Sequence, residues 1–161
     1  MRLTLYLICL LLHTQIDMND NNGKKKIALV TGGNRRLGYE TCRQLAQLCI
    51  TVILSVRDLT KGKSAAYQLN EKEGLDIMFY QLDVSNQKSI CNIAEEIDEH
   101  FGRLDVLVNN AAILYDSWQN AVDADLGVVN NALTTNLFGP WKLAAELANT
   151  GILVNSVDPD G

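Results

Sequence analysis

The chain has 161 residues, enough for one domain with a real core. Its 47% hydrophobic and 20% charged residues are ordinary for a globular protein, and the net charge of −5 argues against a nucleic-acid surface, which needs a basic face. The four cysteines, Cys9, Cys42, Cys49 and Cys91, form no Cys-x-x-Cys pair and have no cluster of histidines beside them, which argues against a metal site. Cys42, Cys49 and Cys91 are expected as small buried apolar residues in a reducing compartment.

In chain order, Arg2 precedes an apolar run from Leu3 to Leu12, followed by a polar stretch from His13 to Lys26. The run falls short of the about 20 residues that span a bilayer. Its length suits the apolar region of a signal peptide, but no small-x-small cleavage site follows. Residues 1–23 are therefore set apart as an N-terminal extension, a targeting segment or a non-native start, with Met18 as a second candidate start. Residues 24–161 form the domain proper, for which a cytosolic setting is expected.

From Lys26 the pattern alternates strand and helix, the signature of a parallel α/β sheet. Ile27–Val30 is the first strand. The next helix carries a stripe of Leu37, Cys42, Leu45, Leu48 and Cys49, spaced by three and four. Ile50–Val56 is the second strand, and Asp58 caps a short helix from about Thr60 to Leu69. Gly74 opens the third strand, Asp76–Leu82. Ser85 is the expected N-cap of a helix whose stripe is Ile90, Ile93, Ile97 and Phe101. Gly102 ends it, and Leu104–Val108 is the fourth strand. A long helical stretch covers about Ala124–Asn149, with a kink expected near Phe138–Pro140 because proline breaks the helical ladder. Thr150-Gly151 stops it, and Ile152–Val157 reads as a fifth strand.

The first strand runs into Thr31-Gly32-Gly33-Asn34-Arg35-Arg36-Leu37-Gly38 and then into a helix. Such a strand–turn–helix aims backbone N–H groups and a helix N-terminus at a phosphate, and glycine lets the backbone approach it closely. The spacing resembles the Thr-Gly-x-x-x-Gly-x-Gly turn of the short-chain dehydrogenases/reductases, with Arg36 in place of the middle glycine. Further segments match that family in the same order. Ser55-Val56-Arg57-Asp58 ends strand two, where such folds meet the adenosine ribose. An arginine there, with Arg35 on the same side, resembles the NADP-preferring pattern of carbonyl reductases. Leu82-Asp83-Val84 resembles the family's adenine-contacting Asp-Val. Asn109-Asn110-Ala111-Ala112 resembles its Asn-Asn-Ala-Gly, with the same Gly102-Arg103-Leu104-Asp105 lead-in. Thr135-Asn136-Leu137-Phe138-Gly139 resembles the segment that carries the family's catalytic asparagine, here Asn136.

The resemblance implies a doubly wound parallel α/β sheet of Rossmann type, in order 3-2-1-4 plus a fifth strand. It implies NADP as cofactor, weakly held because of Arg36. The implied cofactor contacts are Thr31, Gly32, Asn34, Arg35, Leu37, Gly38, Arg57, Asp83, Val84, Asn109 and Ala111, with Asn136 as a catalytic remnant and no metal. The family's chemistry also needs a Ser and a Tyr-x-x-x-Lys. No Tyr-x-x-x-Lys occurs here. No Tyr follows Tyr115; after Asn136 the only Lys is Lys142 and the only Ser is Ser156. Leu137-Phe138-Gly139-Pro140 runs directly into Trp141-Lys142-Leu143-Ala144-Ala145-Glu146-Leu147, which resembles a later helix of the family. The pattern is that of a member with an internal deletion and an early stop. Three readings stay open: a carbonyl-reducing oxidoreductase by lineage; a non-catalytic remnant that binds nucleotide or forms a homo- or hetero-dimer through its last long helix; and a misassembled or spliced product. None calls for nucleic acid or a stable membrane span.

Overall fold

The computed structural model describes residues 24–113 and 124–150. Four strands form one sheet: β1 (Ile27–Thr31), β2 (Thr51–Val56), β3 (Ile77–Gln81) and β4 (Val106–Val108). Their order is β3-β2-β1-β4 and every pairing is parallel. The expected doubly wound α/β architecture and its strand order are both present. The fifth strand, Ile152–Val157, and the extension over residues 1–23 lie outside the described residues.

The central strands are apolar along their length because both faces are covered. Ile27 and Leu29 of β1 point to one face and pack with Ile53 of β2. Ala28 and Val30 point to the other and pack with Val52, Leu54 and Val56. The second face is covered by α1 (Arg36–Gln47), by α2 (Leu59–Tyr67) and by the turn Gln68–Lys72 that follows it, through Cys42, Leu45, Ala65, Ala66 and Leu69. The first face is covered by α3 (Gln87–Phe101) and α5 (Gly139–Asn149) through Ile90, Ile93, Ala94, Ile97, Leu143 and Leu147.

Several local expectations need correction. The cap of α3 is Asn86, whose Oδ1 accepts from the Ser89 N–H at 3.2 Å. Ser85 is drawn off by the residue two positions before it: Asp83 Oδ1 accepts from its N–H at 2.9 Å and from its hydroxyl at 2.6 Å. On α1 the buried residues are Gly38, Cys42 and Leu45. Leu37 is 47% exposed, and Cys49 is exposed just past the helix at φ +61°. Cys91 is half-buried, so Cys42 alone of the three behaves as a core residue, and burial pushes its thiol up to about 12.

The long helical stretch contains α4 (Leu126–Leu133), a π-type turn (Thr134–Phe138) and α5. Asp125 caps α4, with Oδ1 accepting from the Gly127 and Val128 N–H groups at 2.7 and 3.1 Å. Pro140 would press on the Asn136 carbonyl in a continuous α-helix. The chain instead widens one turn, so that the Gly139 N–H donates to the Thr134 carbonyl five residues back. The irregularity expected at Phe138–Pro140 is therefore displaced by about a turn towards the N-terminus.

Candidate functional site

The Gly-rich turn is fastened to the sheet before any side chain enters the site. The Ser55 carbonyl accepts from the Gly32 N–H at 2.8 Å and the Gly33 N–H at 3.3 Å. Gly32 takes φ +68°, a conformation that glycine adopts without penalty. Gly38 sits where a Cβ would collide with Asn110 Nδ2 and the Gly32 carbonyl, so only glycine lets α1 come this close. Thr31, 2% exposed, is the joint between β1 and the exit of β4. Its hydroxyl donates to the Val108 carbonyl at 3.3 Å and accepts from the Asn110 and Ala111 N–H groups at 3.0 and 2.9 Å. Asn110 closes the joint from the other side by donating through Nδ2 to the Thr31 and Gly32 carbonyls at 2.9 and 3.1 Å.

Arg36 occupies the family's middle-glycine position with φ +48°. The side chain has not expelled the turn from the left-handed region. The turn keeps the shape that glycine would give it, at a cost of about 1–2 kcal/mol for a residue with a Cβ.

At the carboxyl ends of the four strands this frame encloses a groove of about 340 Å³. Thr31, Gly32, Asn34, Arg35, Leu37 and Gly38 line it from the β1–α1 turn. Arg57 lines it after β2, Asp83 and Val84 after β3, and Ala111 after β4. The structure thus brings together ten of the eleven expected cofactor contacts, and five sequence segments meet in one crevice. Asn109 is the exception: it is exposed and forms no part of the lining. Its neighbour Asn110 carries the structural tie. Asn136 is also outside the lining. Its amide grips the backbone of Ile113, accepting from the N–H at 2.9 Å and donating to the carbonyl at 2.9 Å. Its side chain therefore positions the end of the β4 exit segment. Val56, Leu82, Ala112 and Thr135, which belong to the matching segments but were not among the expected contacts, join the lining, as does Ile113. Val56, Leu82, Ala112 and Ile113 lie at or after strand ends, where the residues of such a sheet face the crevice, whereas Thr135 is brought in by the π-type turn.

The groove has an uneven charge. Arg35, Arg36 and Arg57, all exposed, line the groove on the segments that follow β1 and β2. Asp83 stands at the β3 side, where its Oδ1 already holds Ser85. Asp58, next to Arg57, caps α2: its Oδ1 accepts from the Lys61 N–H at 3.0 Å. That backbone bond holds its carboxyl below the ordinary range. Asp58 is thereby committed to the helix, and Arg57 is the charge after β2 that lines the groove. The close approach at Gly38 and the arginines fit the adenosine and phosphates of a dinucleotide. Among the described residues no group of three His, Cys, Asp or Glu side chains could hold a metal, and no helix is long and apolar enough to cross a membrane.

Comparison with known proteins agrees with this geometry. The family model described as short chain dehydrogenase matches residues 26–150. Salutaridine reductase of Papaver somniferum is 43% identical over 103 residues, which are 63% of this chain and 32% of the relative. Carbonyl reductase [NADPH] 1 of Homo sapiens is 38% identical over 125 residues, 75% of this chain and 43% of the relative. The chain thus spans less than half the length of these relatives. Among solved structures, an alcohol dehydrogenase from the archaeon Thermococcus sibiricus, complexed with 5-hydroxy-NADP, superposes with a TM-score of 0.70 at 27% identity. The match covers 80% of this chain and 57% of that one. The structure of salutaridine reductase from Papaver somniferum superposes with a TM-score of 0.68 at 28% identity, covering 78% of this chain and 53% of that one.

Proposed function

The chain belongs to the short-chain dehydrogenase family, and from that premise we propose that it is an NADP-type nucleotide-binding unit of carbonyl-reductase lineage that does not itself reduce carbonyls. The observation that carries the reading is the groove with Arg35 and Arg57 at its adenosine end and no acid facing them from Ser55 or Val56. An acid after the second strand favours the free ribose hydroxyl of NAD, and an arginine there accommodates the 2′-phosphate of NADP. The relatives named for NADPH and NADP support the same choice. In this reading the Gly32–Gly38 turn takes the pyrophosphate, Asp83 and Val84 flank the adenine, and Ala111 forms the floor. When bound, NADPH would supply a hydride. The chain lacks the proton donor that must act with it, because no Tyr-x-x-x-Lys occurs in its sequence. Asn136, engaged with the Ile113 backbone, supports that segment instead of a proton relay.

A pairing role is supported by one further feature. Leu126 is 77% exposed, and with Leu133, Leu137 and Trp141 it forms an apolar stripe at helical spacing along α4, the π-type turn and α5. The stripe suits a second copy of the chain or a related subunit.

The test is a titration of the full chain with NADPH and NADH. One charge-assisted phosphate contact contributes about 1.5–3 kcal/mol, so NADPH is expected to bind about tenfold or more tightly. Arg57→Ala should abolish the preference. Equal affinities that the substitution leaves unchanged would refute the proposal.

A further inference from the structure

At the end of β2 the direction of successive carbonyls shows where the strand gives way to a bend. The Ser55 carbonyl faces the end of β1 and accepts from the Gly32 and Gly33 N–H groups. The Val56 carbonyl faces β3 and accepts from the Leu82 N–H at 3.1 Å. In a continuing strand the Arg57 carbonyl would turn back towards β1, because successive backbone groups of a strand point to alternate sides. It faces β3 instead, where it accepts from Gln81 Nε2 at 2.8 Å. The backbone register of β2 and β3 ends at Val56 and Gln81. The Gln81 side chain therefore adds a rung beyond the last pair of the register. On the far side of Arg57, Asp58 caps α2, with Oδ1 accepting from the Lys61 N–H at 3.0 Å. The Arg57 backbone is thus held from both directions. Its side chain has no such fixture: it is exposed, and among the described residues no carboxylate pairs with its guanidinium. Where the guanidinium can reach is set by the backbone that carries it. Arg57 lines the groove and Gln81 does not, so the Gln81 amide meets the site only through Arg57.

We infer that Gln81 is a positioning residue for the choice of cofactor: by holding the Arg57 carbonyl towards β3, it fixes the bend that presents the guanidinium to the groove. This rests on the NADP-type reading above and adds to it a residue that touches no nucleotide. The physical basis is pre-organisation. A long charged side chain binds a phosphate more tightly when the backbone beneath it is already ordered, because less freedom is lost on binding. NADH carries no phosphate for Arg57 to meet, so its affinity does not depend on the Gln81 bond.

The experiment is a double-mutant cycle on the full chain: the parent, Gln81→Met, Arg57→Ala and the double variant, each titrated with NADPH and NADH by calorimetry. Methionine keeps the length of the side chain and removes the amide donor. Gln81→Met should weaken NADPH by about fivefold, within the range of one neutral hydrogen bond, and leave NADH unchanged. In the Arg57→Ala background the same substitution should change neither affinity, since the two residues act as one unit. If the parent prefers NADPH and Gln81→Met keeps the full preference, this inference fails and the NADP-type reading stands. If Gln81→Met weakens NADPH equally with and without Arg57, Gln81 acts on its own and the inference is overturned. If it weakens both cofactors alike and lowers the unfolding temperature, its role is structural and the inference is likewise overturned. If the parent binds the two cofactors equally, or neither, both the reading and this inference fail.

Discussion

At Arg36 the backbone holds a conformation that its own side chain disfavours, and the neighbours explain why it does not relax. The turn is fixed at one end by the Gly32 and Gly33 N–H bonds to Ser55, and at the other by the packing of Gly38 under Asn110. A strained residue between two fixed points keeps its strain. One helical turn further on, Glu40 shows the opposite behaviour, a charge well accommodated. Arg43 donates to it through Nε at 2.8 Å and Nη2 at 2.5 Å, and Gln44 also donates to it. The bonds from Arg43 lead in lowering its carboxyl from 4.5 to about 2. A depressed carboxyl stabilises the fold above its unfolded pKa, and that contribution is lost as pH falls through the folded value. The Glu40 side chain is 37% exposed, so solvent screening limits the gain to about 0.5 kcal/mol. Glu40→Gln should therefore lower stability by about that amount at neutral pH, measured by denaturant unfolding. The difference should shrink between pH 4.5 and about 2. A difference independent of pH would assign the loss to packing.

At the scale of elements, two asparagines in π-type turns do the same work. Asn70, in the turn Gln68–Lys72 that prolongs α2, accepts from the Ile77 N–H at 2.8 Å and donates to its carbonyl at 3.0 Å. Asn136 grips both backbone groups of Ile113 in the same manner. Each side chain satisfies a donor and an acceptor that the sheet does not pair. Asn70→Ala should cost about 1–3 kcal/mol, because two hydrogen bonds are lost at the start of β3. Chemical denaturation would measure it, and a change below about 0.5 kcal/mol would mean that water replaces the amide. Much of the element plan was legible in the sequence, because apolar strands such as Ile27–Val30 and the stripe Ile90, Ile93, Ile97 follow the periods of their structures. The cap of α3 was not, since Ser85 and Asn86 are adjacent and equally suited. The local bonds from Ser85 to Asp83, two residues back, leave the cap to Asn86. The π-type turns were hidden for a related reason: helical periodicity continues through them. Within the site, the glycines and arginines were legible because they are chemically distinctive. Asn110 and Thr135 were not, since their roles depend on which segments the fold brings together.

For the whole molecule, the lead-in Gly102-Arg103-Leu104-Asp105 has a structural meaning beyond resemblance. Gly102 ends α3 at φ +63°, with its N–H donating to the Asp98 carbonyl at 2.8 Å. Arg103 donates to the Lys25 carbonyl at 2.7 Å, and Asp105 exchanges two bonds with Ile27, at 2.7 and 3.0 Å. These contacts set β4 in register beside β1, which in turn carries Asn110 to Thr31 and closes the groove. The four-stranded frame β3-β2-β1-β4 is therefore present among the described residues, while the sequence holds no Tyr-x-x-x-Lys. Loss of a positioned general acid alone costs about 10²–10⁴ in rate. The decisive measurement follows the fluorescence of NADPH bound to the purified full chain after addition of aldehydes, ketones and quinones. A bound-cofactor signal that persists unchanged is the expected result, and NADPH consumption in proportion to the amount of chain would contradict the account.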